Sequence, residues 1–219
     1  MRSKFDSMLE KLHESLIELG QIMEKAISLT TASLVNKDMD AALQAIELES
    51  EINQREKDIE GLCFKLMLQQ QPVARDLRMI QAALKMITDM ERIGDHARDI
   101  SEICLLIGKE EYIKAPTQFA KMGETAVGMI RDVINAFVQK NRELALDVIS
   151  RDDVIDNLFV NIKDDLYELM LADASNGRQA LDFLMIAKYY ERIGDHTENI
   201  AEWVIFSITG EAKESIHQA

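Results

Sequence analysis

Glu91-Arg92-Ile93-Gly94-Asp95-His96 recurs, residue for residue, as Glu191-Arg192-Ile193-Gly194-Asp195-His196. The offset of 100 positions persists downstream, where Ile100 matches Ile200 and Glu102 matches Glu202. Upstream, Leu66-Met67-Leu68 returns as Leu169-Met170-Leu171 at an offset of 103, so the second copy has a connector three residues shorter. Core helices share apolar spacing for packing reasons, but packing does not dictate shared polar identities. The chain of 219 residues therefore reads as a duplicated unit, 1–112 followed by 113–219.

Working outward, each unit predicts three helices. Phe5, Leu9, Leu12, Leu16, Leu19, Met23 and Ala26 alternate spacings of four and three, one apolar stripe on a long helix over about 3–35. Asn36-Lys37-Asp38 breaks it, and Asp38 or Asp40 can cap a second helix burying Leu43, Ile46, Ile52, Ile59, Leu62 and Leu66. Pro72 opens the third, striped by Met79, Ala83, Met86, Met90, Ile93, Ala97, Ile100 and Ile107, with Gly108 as its C-terminal cap. The second unit repeats the plan: a helix from Pro116 to the turn at Asn141, another over about 142–172, and a last one after Ala174-Ser175-Asn176-Gly177 that ends near Gly210. Two Pro and nine Gly leave few breaks, and no strand-like alternation is present. Short connectors force antiparallel neighbours, so the fold class is all-α: two tandem, internally duplicated three-helix bundles, six long antiparallel helices in all.

A formal charge of −14 argues against nucleic acid or an anionic membrane surface as partner, since both are held by excess Lys and Arg. No apolar run reaches the roughly 20 residues of a membrane span, and residues 1–20 lack the apolar centre of a signal peptide, so a cytoplasmic location is expected with no direct membrane insertion. Cys63 and Cys104 fall on apolar stripes and are expected reduced in the core. There is no Gly-x-Ser-x-Gly, no phosphate-cradling glycine loop and no Cys paired with His, so no catalytic residue is assigned and the chain is not expected to be an enzyme.

The repeated stretch has chemistry of its own. Glu91, Asp95 and Asp99 project from one helix face, as do Glu191, Asp195 and Asn199. The helical wheel sets this row nearly opposite the Ile93, Ala97, Ile100 stripe, lining an outer groove rather than the bundle interior. Like charges four apart destabilise a helix, so a row kept in both copies suggests a cation that offsets it. Arg98 is a candidate counter-charge in the first copy, but its counterpart is Glu198. Gly94 and Gly194 each cost their helix about 1 kcal/mol, tolerable where a backbone or ligand approaches closely. The preceding helices supply a second row at the 103 offset, Glu49 and Asn53 in one unit, Asp152 and Asp156 in the other. Oxygen donors from two helices suit Mg²⁺, Mn²⁺, Ca²⁺ or ferric iron, with His96 and His196 near enough in sequence to keep zinc open, although each reads first as a surface or interface histidine.

Taken with the connector Gln71-Pro72-Val73-Ala74-Arg75-Asp76-Leu77-Arg78, these features resemble the PhoU family over nearly the whole chain. The resemblance implies homodimers and metal ions or clusters held at the acidic motifs, here Glu91, Asp95, Asp99, Glu191 and Asp195, with Glu49, Asn53, Asp152, Asp156 and Asn199 completing the set; Asn53 and Asn199 depart from an all-carboxylate pattern. The metal is left as iron, Mn, Mg or Zn. It further implies a cytoplasmic negative regulator of phosphate uptake and phosphate-starvation gene expression, an adaptor acting with the ATPase subunit of a phosphate ABC transporter and a phosphate-sensing histidine kinase. Arg75, Asp76, Arg78, Arg92 and Arg192 match family motifs and receive no role beyond inter-helix ion pairing. Two other readings compete: a metal-storing or structural bundle, and a di-iron carboxylate enzyme built on the Glu-x-x-His spacings Glu10 to His13 and Glu214 to His217.

Overall fold

The computed structural model describes residues 2–69, 72–114 and 117–210. Six helices account for nearly all of them: α1 (Arg2–Asn36), α2 (Met39–Gln69), α3 (Ala74–Ile107), α4 (Thr117–Gln139), α5 (Arg142–Ala172) and α6 (Gly177–Thr209), with one 3₁₀ turn at Ala174–Asn176 before the last. At 1.5 Å per residue the longer ones extend about 50 Å.

The breaks are chemical, and they repeat. α1 and α4 each end in a lysine with left-handed backbone, Lys37 and Lys140, both at φ 55°. The next residue caps the following helix: Asp38 Oδ1 accepts from the Ala41 amide at 3.0 Å, and Asn141 Oδ1 from the Leu144 amide at 3.1 Å. α3 begins two residues after Pro72, its entry fixed by the Val73 amide donating to Asp76 Oδ2 at 3.3 Å. Pro116 lies outside the described residues. Gly210 closes α6 at φ 79°, where the absence of Cβ is what permits the turn. Gly108 behaves differently from a left-handed cap. It stays right-handed at φ −64°, and a Cβ there would lie 2.3 Å from Met39 Cε at the start of α2, so a larger residue would displace the end of that methionine.

Within each unit the second helix packs on the first and third, and the units meet along α3 with α6 and α1 with α4. One apolar core runs through all six helices, from Leu12, Leu16 and Leu19 through Ile52, Ile87 and Ile93 to Val133, Phe183 and Tyr190. Each such Leu, Ile or Phe contributes about 1.5–3 kcal/mol by leaving water. On α2 the buried stripe differs from the expected one. Leu43 is exposed and Ile46 and Leu62 are half-buried, while Ala42, Ala45, Ile52, Ile59, Cys63 and Leu66 face inward. At about 100° per residue Leu43 stands about 180° from Ile52, so the helix itself turns it outward, while Ala41 and Ala45 share the Ile52 side. Both cysteines are buried free thiols, pushed up by burial to about 12 for Cys63 and about 11 for Cys104.

The seam between units is related by an approximate twofold axis, visible in paired contacts. Gly20 on α1 meets Ile134 of α4, and Gly123 on α4 meets Thr31 of α1; each pair is the other shifted by 103 positions. Likewise His196 Nδ1 lies 2.8 Å from Asp89 Oδ1, while His96 stacks on Tyr189 at 5.4 Å, and the two histidine rings stack at 5.5 Å. Burial and the neighbouring His196 press His96 down to about 4. Within the core of the seam, Thr31 Oγ1 lies 2.8 Å from the Tyr190 hydroxyl.

Candidate metal centre

The duplicated sequence builds two different sites from corresponding positions. In the second unit, Asp152 and Asp156 on α5 stand one turn apart and face Asp195 on α6, each offering an oxygen within 4.8 Å of the others. Oxygens on opposite sides of a Ca²⁺- or Mn²⁺-sized ion are separated by roughly 4–5 Å, so the span is that of a coordination sphere. Asp152 forms the floor. It is only 7% exposed, and its Oδ1 has no hydrogen-bond partner among the described residues. Asp156 and Asp195 are exposed, and Asp152 is sunk beneath them.

The floor exists because of Gly194. A Cβ at Gly194 would lie 2.3 Å from Asp152 Oδ1 and 3.3 Å from Ile155 Cδ1, so only glycine leaves the carboxylate its place over the α6 backbone. At the corresponding Gly94 a Cβ would meet no carboxylate but the Cγ2 and Cδ1 atoms of Ile52, both at 3.0 Å, so this glycine serves helix packing. Gly194→Ala is expected to cost about 1–3 kcal/mol in displaced neighbours, against about 1 kcal/mol gained in helix propensity. The net result is a melting temperature a few degrees lower. Gly61→Ala, on a part of α2 where a Cβ would meet nothing within 4 Å, should instead raise it; thermal melts of the pair check both.

Concentrated negative charge raises proton affinity across the second site. Burial, then Asp156, Glu198, Asp195 and Glu191, push Asp152 up to about 7. Asp156 is raised by burial and by Glu191 and Asp153, and Asp195 by burial and by Glu191. The nearest cation is Lys188, which pairs with Glu191. Asn199 is half-buried on α6 and outside the three-carboxylate group.

The first unit has been neutralised internally. Arg98 reaches Glu49 at 3.2 Å, Asp99 at 3.2 Å and Glu102 at 3.6 Å, and Asn53 Nδ2 donates to the same Glu49 Oε1 at 2.8 Å. Glu91 and Asp95 pair with Arg92 at 3.4 and 3.2 Å. No group of three ligating side chains forms there among the described residues. Arg92 thus acquires a partner within its own helix, and the sequence-derived set of ten positions separates into a half whose carboxylates converge and an arginine-filled half. Glu198 and Lys188 were not singled out as members. The signal for Glu198 was its replacement of Arg98; Lys188 stands where the first unit has Thr88 and gives no sequence sign of its role.

The histidines belong to the seam between units and not to the acid group, so the donors present are all oxygen. That donor set fits a hard cation better than zinc. Of the spacings that suggested a di-iron site, His13 sits at the end of the bundle with its ring edge-on to Phe137 at 5.8 Å, and Glu10 is exposed; Glu214 and His217 lie outside the described residues.

A family model described as PhoU domain matches this chain twice, over residues 16–104 and 119–204. The Phosphate-specific transport system accessory protein PhoU homolog of Clostridium acetobutylicum is 38% identical over 210 residues, covering 95% of this chain and 96% of that protein. The homolog of Aquifex aeolicus is 34% identical over 209 residues, with 95% of each covered. Among solved structures, that of PhoU from Pseudomonas aeruginosa superposes with a TM-score of 0.90 at 29% identity, covering 94% of this chain and all of the other. The phosphate transport system regulatory protein PhoU from Streptococcus pneumoniae gives 0.86 at 28% identity.

Proposed function

We propose, since this chain belongs to the PhoU domain family, that it is an accessory protein of a phosphate-specific transport system and acts as a regulator rather than as an enzyme. The observation that carries the reading is coverage: both units match the family over almost their full length, and relatives of matching length are named for that system. In its finer form, the chain restrains phosphate uptake and phosphate-starvation gene expression when phosphate is plentiful. It does so in the cytoplasm, as a homodimer, through contacts with the transporter ATPase and a phosphate-sensing histidine kinase. No helix among the described residues is long and apolar enough to cross a membrane, which accords with action through such contacts.

Asp152, Asp156 and Asp195, with Glu191 adjacent, would hold one hard divalent or ferric ion, which would supply charge neutralisation between α5 and α6. The chain's own part is to keep Asp152 buried under Gly194, so that α5 and α6 are drawn together only when the site's charge is compensated. A single such group among the described residues favours a structural or regulatory ion over storage, for which many sites would be needed.

Deleting the gene in phosphate-rich medium is expected to raise alkaline phosphatase activity several-fold, with restoration by the wild-type gene. An unchanged output in a strain without a second family member would overturn the regulatory reading.

A further inference from the structure

The approximate twofold relation between units supplies an internal control at the two ends of the molecule. At one end, the corner between the start of α6 and the end of α1 is filled by the chain's own connector after α3. Lys37 Nζ donates to the Glu110 carbonyl at 2.6 Å and lies 4.2 Å from the centroid of the Tyr112 ring. Gln179 donates to the Glu111 carbonyl at 3.1 Å and to Glu110 Oε2 at 3.2 Å, and accepts from the Ile113 amide at 2.6 Å. Tyr112 packs edge-on to Phe183 at 5.2 Å. This corner holds the connector mainly through its backbone, with the Glu110 carboxylate on the Gln179 amide and Tyr112 against Phe183.

At the other end, the corresponding corner between the start of α3 and the ends of α4 and α6 is a cavity of about 700 Å³. Its apolar floor is Leu9, Met79, Phe137 and Ile208, and its polar lining includes Arg75, Arg78, Lys140 and Ser207. Lys140 is the counterpart of Lys37, with the same φ of 55°, yet its ammonium has no hydrogen-bond or ion-pair partner among the described residues. Arg78 Nε is cut off from solvent and also without a partner, a donor whose burial costs about 1–3 kcal/mol until something accepts from it. The one carboxylate in the lining, Asp76, is engaged by the Val73 amide. In a chain of net charge −14, three cations gathered over an apolar floor form a surface of opposite sign to nearly everything around it.

We infer that this open corner receives an acidic peptide segment of a partner protein, seated where the connector 110–113 sits in the filled corner but held by charge, with carboxylates on Arg75, Arg78 and Lys140 and an apolar side chain on the floor. The inference rests on the adaptor reading only in supposing a protein partner, and its test is made with purified protein. The probe is a fluorescein-labelled peptide carrying EEYI, the sequence of residues 110–113, between single glycines. Fluorescence anisotropy with the full chain should show saturable binding that weakens about tenfold in Lys140→Gln and in Arg75→Gln, as expected for the loss of one charge-assisted hydrogen bond. It should weaken as much when the peptide carries QQYI. Lys37→Gln, in the filled corner, should leave it unchanged, and circular dichroism should confirm that each variant is folded. Absence of saturable binding, or binding indifferent to both cation substitutions, would overturn the assignment. Tighter binding to a chain ending at Gly210 than to the full chain would assign the corner to residues 211–219 of this same chain and overturn a partner as its occupant. A negative reporter test with positive peptide binding would remove the phosphate role while leaving the docking site in place.

Discussion

Stripped of metal at pH 7.5, Asp152→Asn protein is expected to melt above the wild type, and with excess Mn²⁺ the order is expected to reverse. The first half follows from a carboxyl held near 7 by burial and four acidic neighbours in place of its ordinary 3.8. Between those two pH values the folded chain keeps a proton that the unfolded chain has released, so stability declines as pH rises through the window. Above about 7 that contribution is gone, and the folded chain holds a charge it would rather not. A proton affinity displaced this far sets a ceiling of roughly 4 kcal/mol on the effect. Asn is of nearly the same size and carries no charge, so it escapes the repulsion while fitting the space over Gly194. Its amide must still find partners where Asp152 Oδ1 has none, which returns part of the gain. A net rise of about 1–2 kcal/mol, or ~2–8 °C, is the expected size.

The second half tests the site itself. A ligand that binds only the folded chain stabilises it by about 2.7 kcal/mol at a concentration one hundred times its dissociation constant. Losing an anionic oxygen from a three-carboxylate group should weaken Mn²⁺ binding roughly a hundredfold, leaving the variant about 0.4 kcal/mol of stabilisation where wild type has about 2.7. Wild type should therefore gain most from Mn²⁺ and Asp152→Asn little, with the wild-type melting curve flattening between pH 5 and 8 when metal is present. Differential scanning fluorimetry across pH, with and without Mn²⁺, reads both halves. If the substitution destabilises the metal-free protein at pH 7.5, the electrostatic account of Asp152 fails; if Mn²⁺ shifts both proteins equally, the ligand assignment fails.

The six helices were legible because long apolar stripes and a handful of turn residues decide them locally: Lys37-Asp38 and Lys140-Asn141 end one helix and cap the next in both units. The face that each residue presents was less so. Leu43 is apolar but stands about 180° from Ile52 around α2, so reading the stripe from residue type misplaces it, and Ala41 and Ala45 take the buried side. The repeat also located the acidic positions, but counting angles along α6 could not reveal that Asp152 lies under Gly194, because that burial belongs to the contact between two helices. The same holds for His96 and His196, which stand one residue past the motif carboxylates and turn instead into the seam between units. Arg98 was legible for a different reason. Its counterpart is Glu198, and a charge reversal inside an otherwise preserved motif marks the point where two copies have parted in function.

That reversal predicts the second large effect. In the first unit Arg98 does for Glu49, Asp99 and Glu102 what a bound cation would do in the second, and Glu49 is well shielded, with a side chain 15% exposed. Arg98→Met removes the counter-charge and leaves Glu49 with the amide of Asn53 and a long hydrogen bond from Ser50 Oγ at 3.4 Å, at an expected cost of about 2–3 kcal/mol, less than for a fully buried pair because Arg98 is one-third exposed. Arg98→Glu goes further by giving the first unit the residue that the second has, while Asn53→Asp supplies the counterpart of Asp156. The double variant should be the least stable chain without metal, and the one most stabilised by Mn²⁺, with bound metal rising from one ion per chain toward two by elemental analysis. A metal-free double variant as stable as wild type would mean that Arg98 neutralises nothing of consequence. A rescued melt with no increase in bound metal would mean that the two units differ in more than one charge and one amide, and the separation into an arginine-filled and a cation-holding half would have to be abandoned.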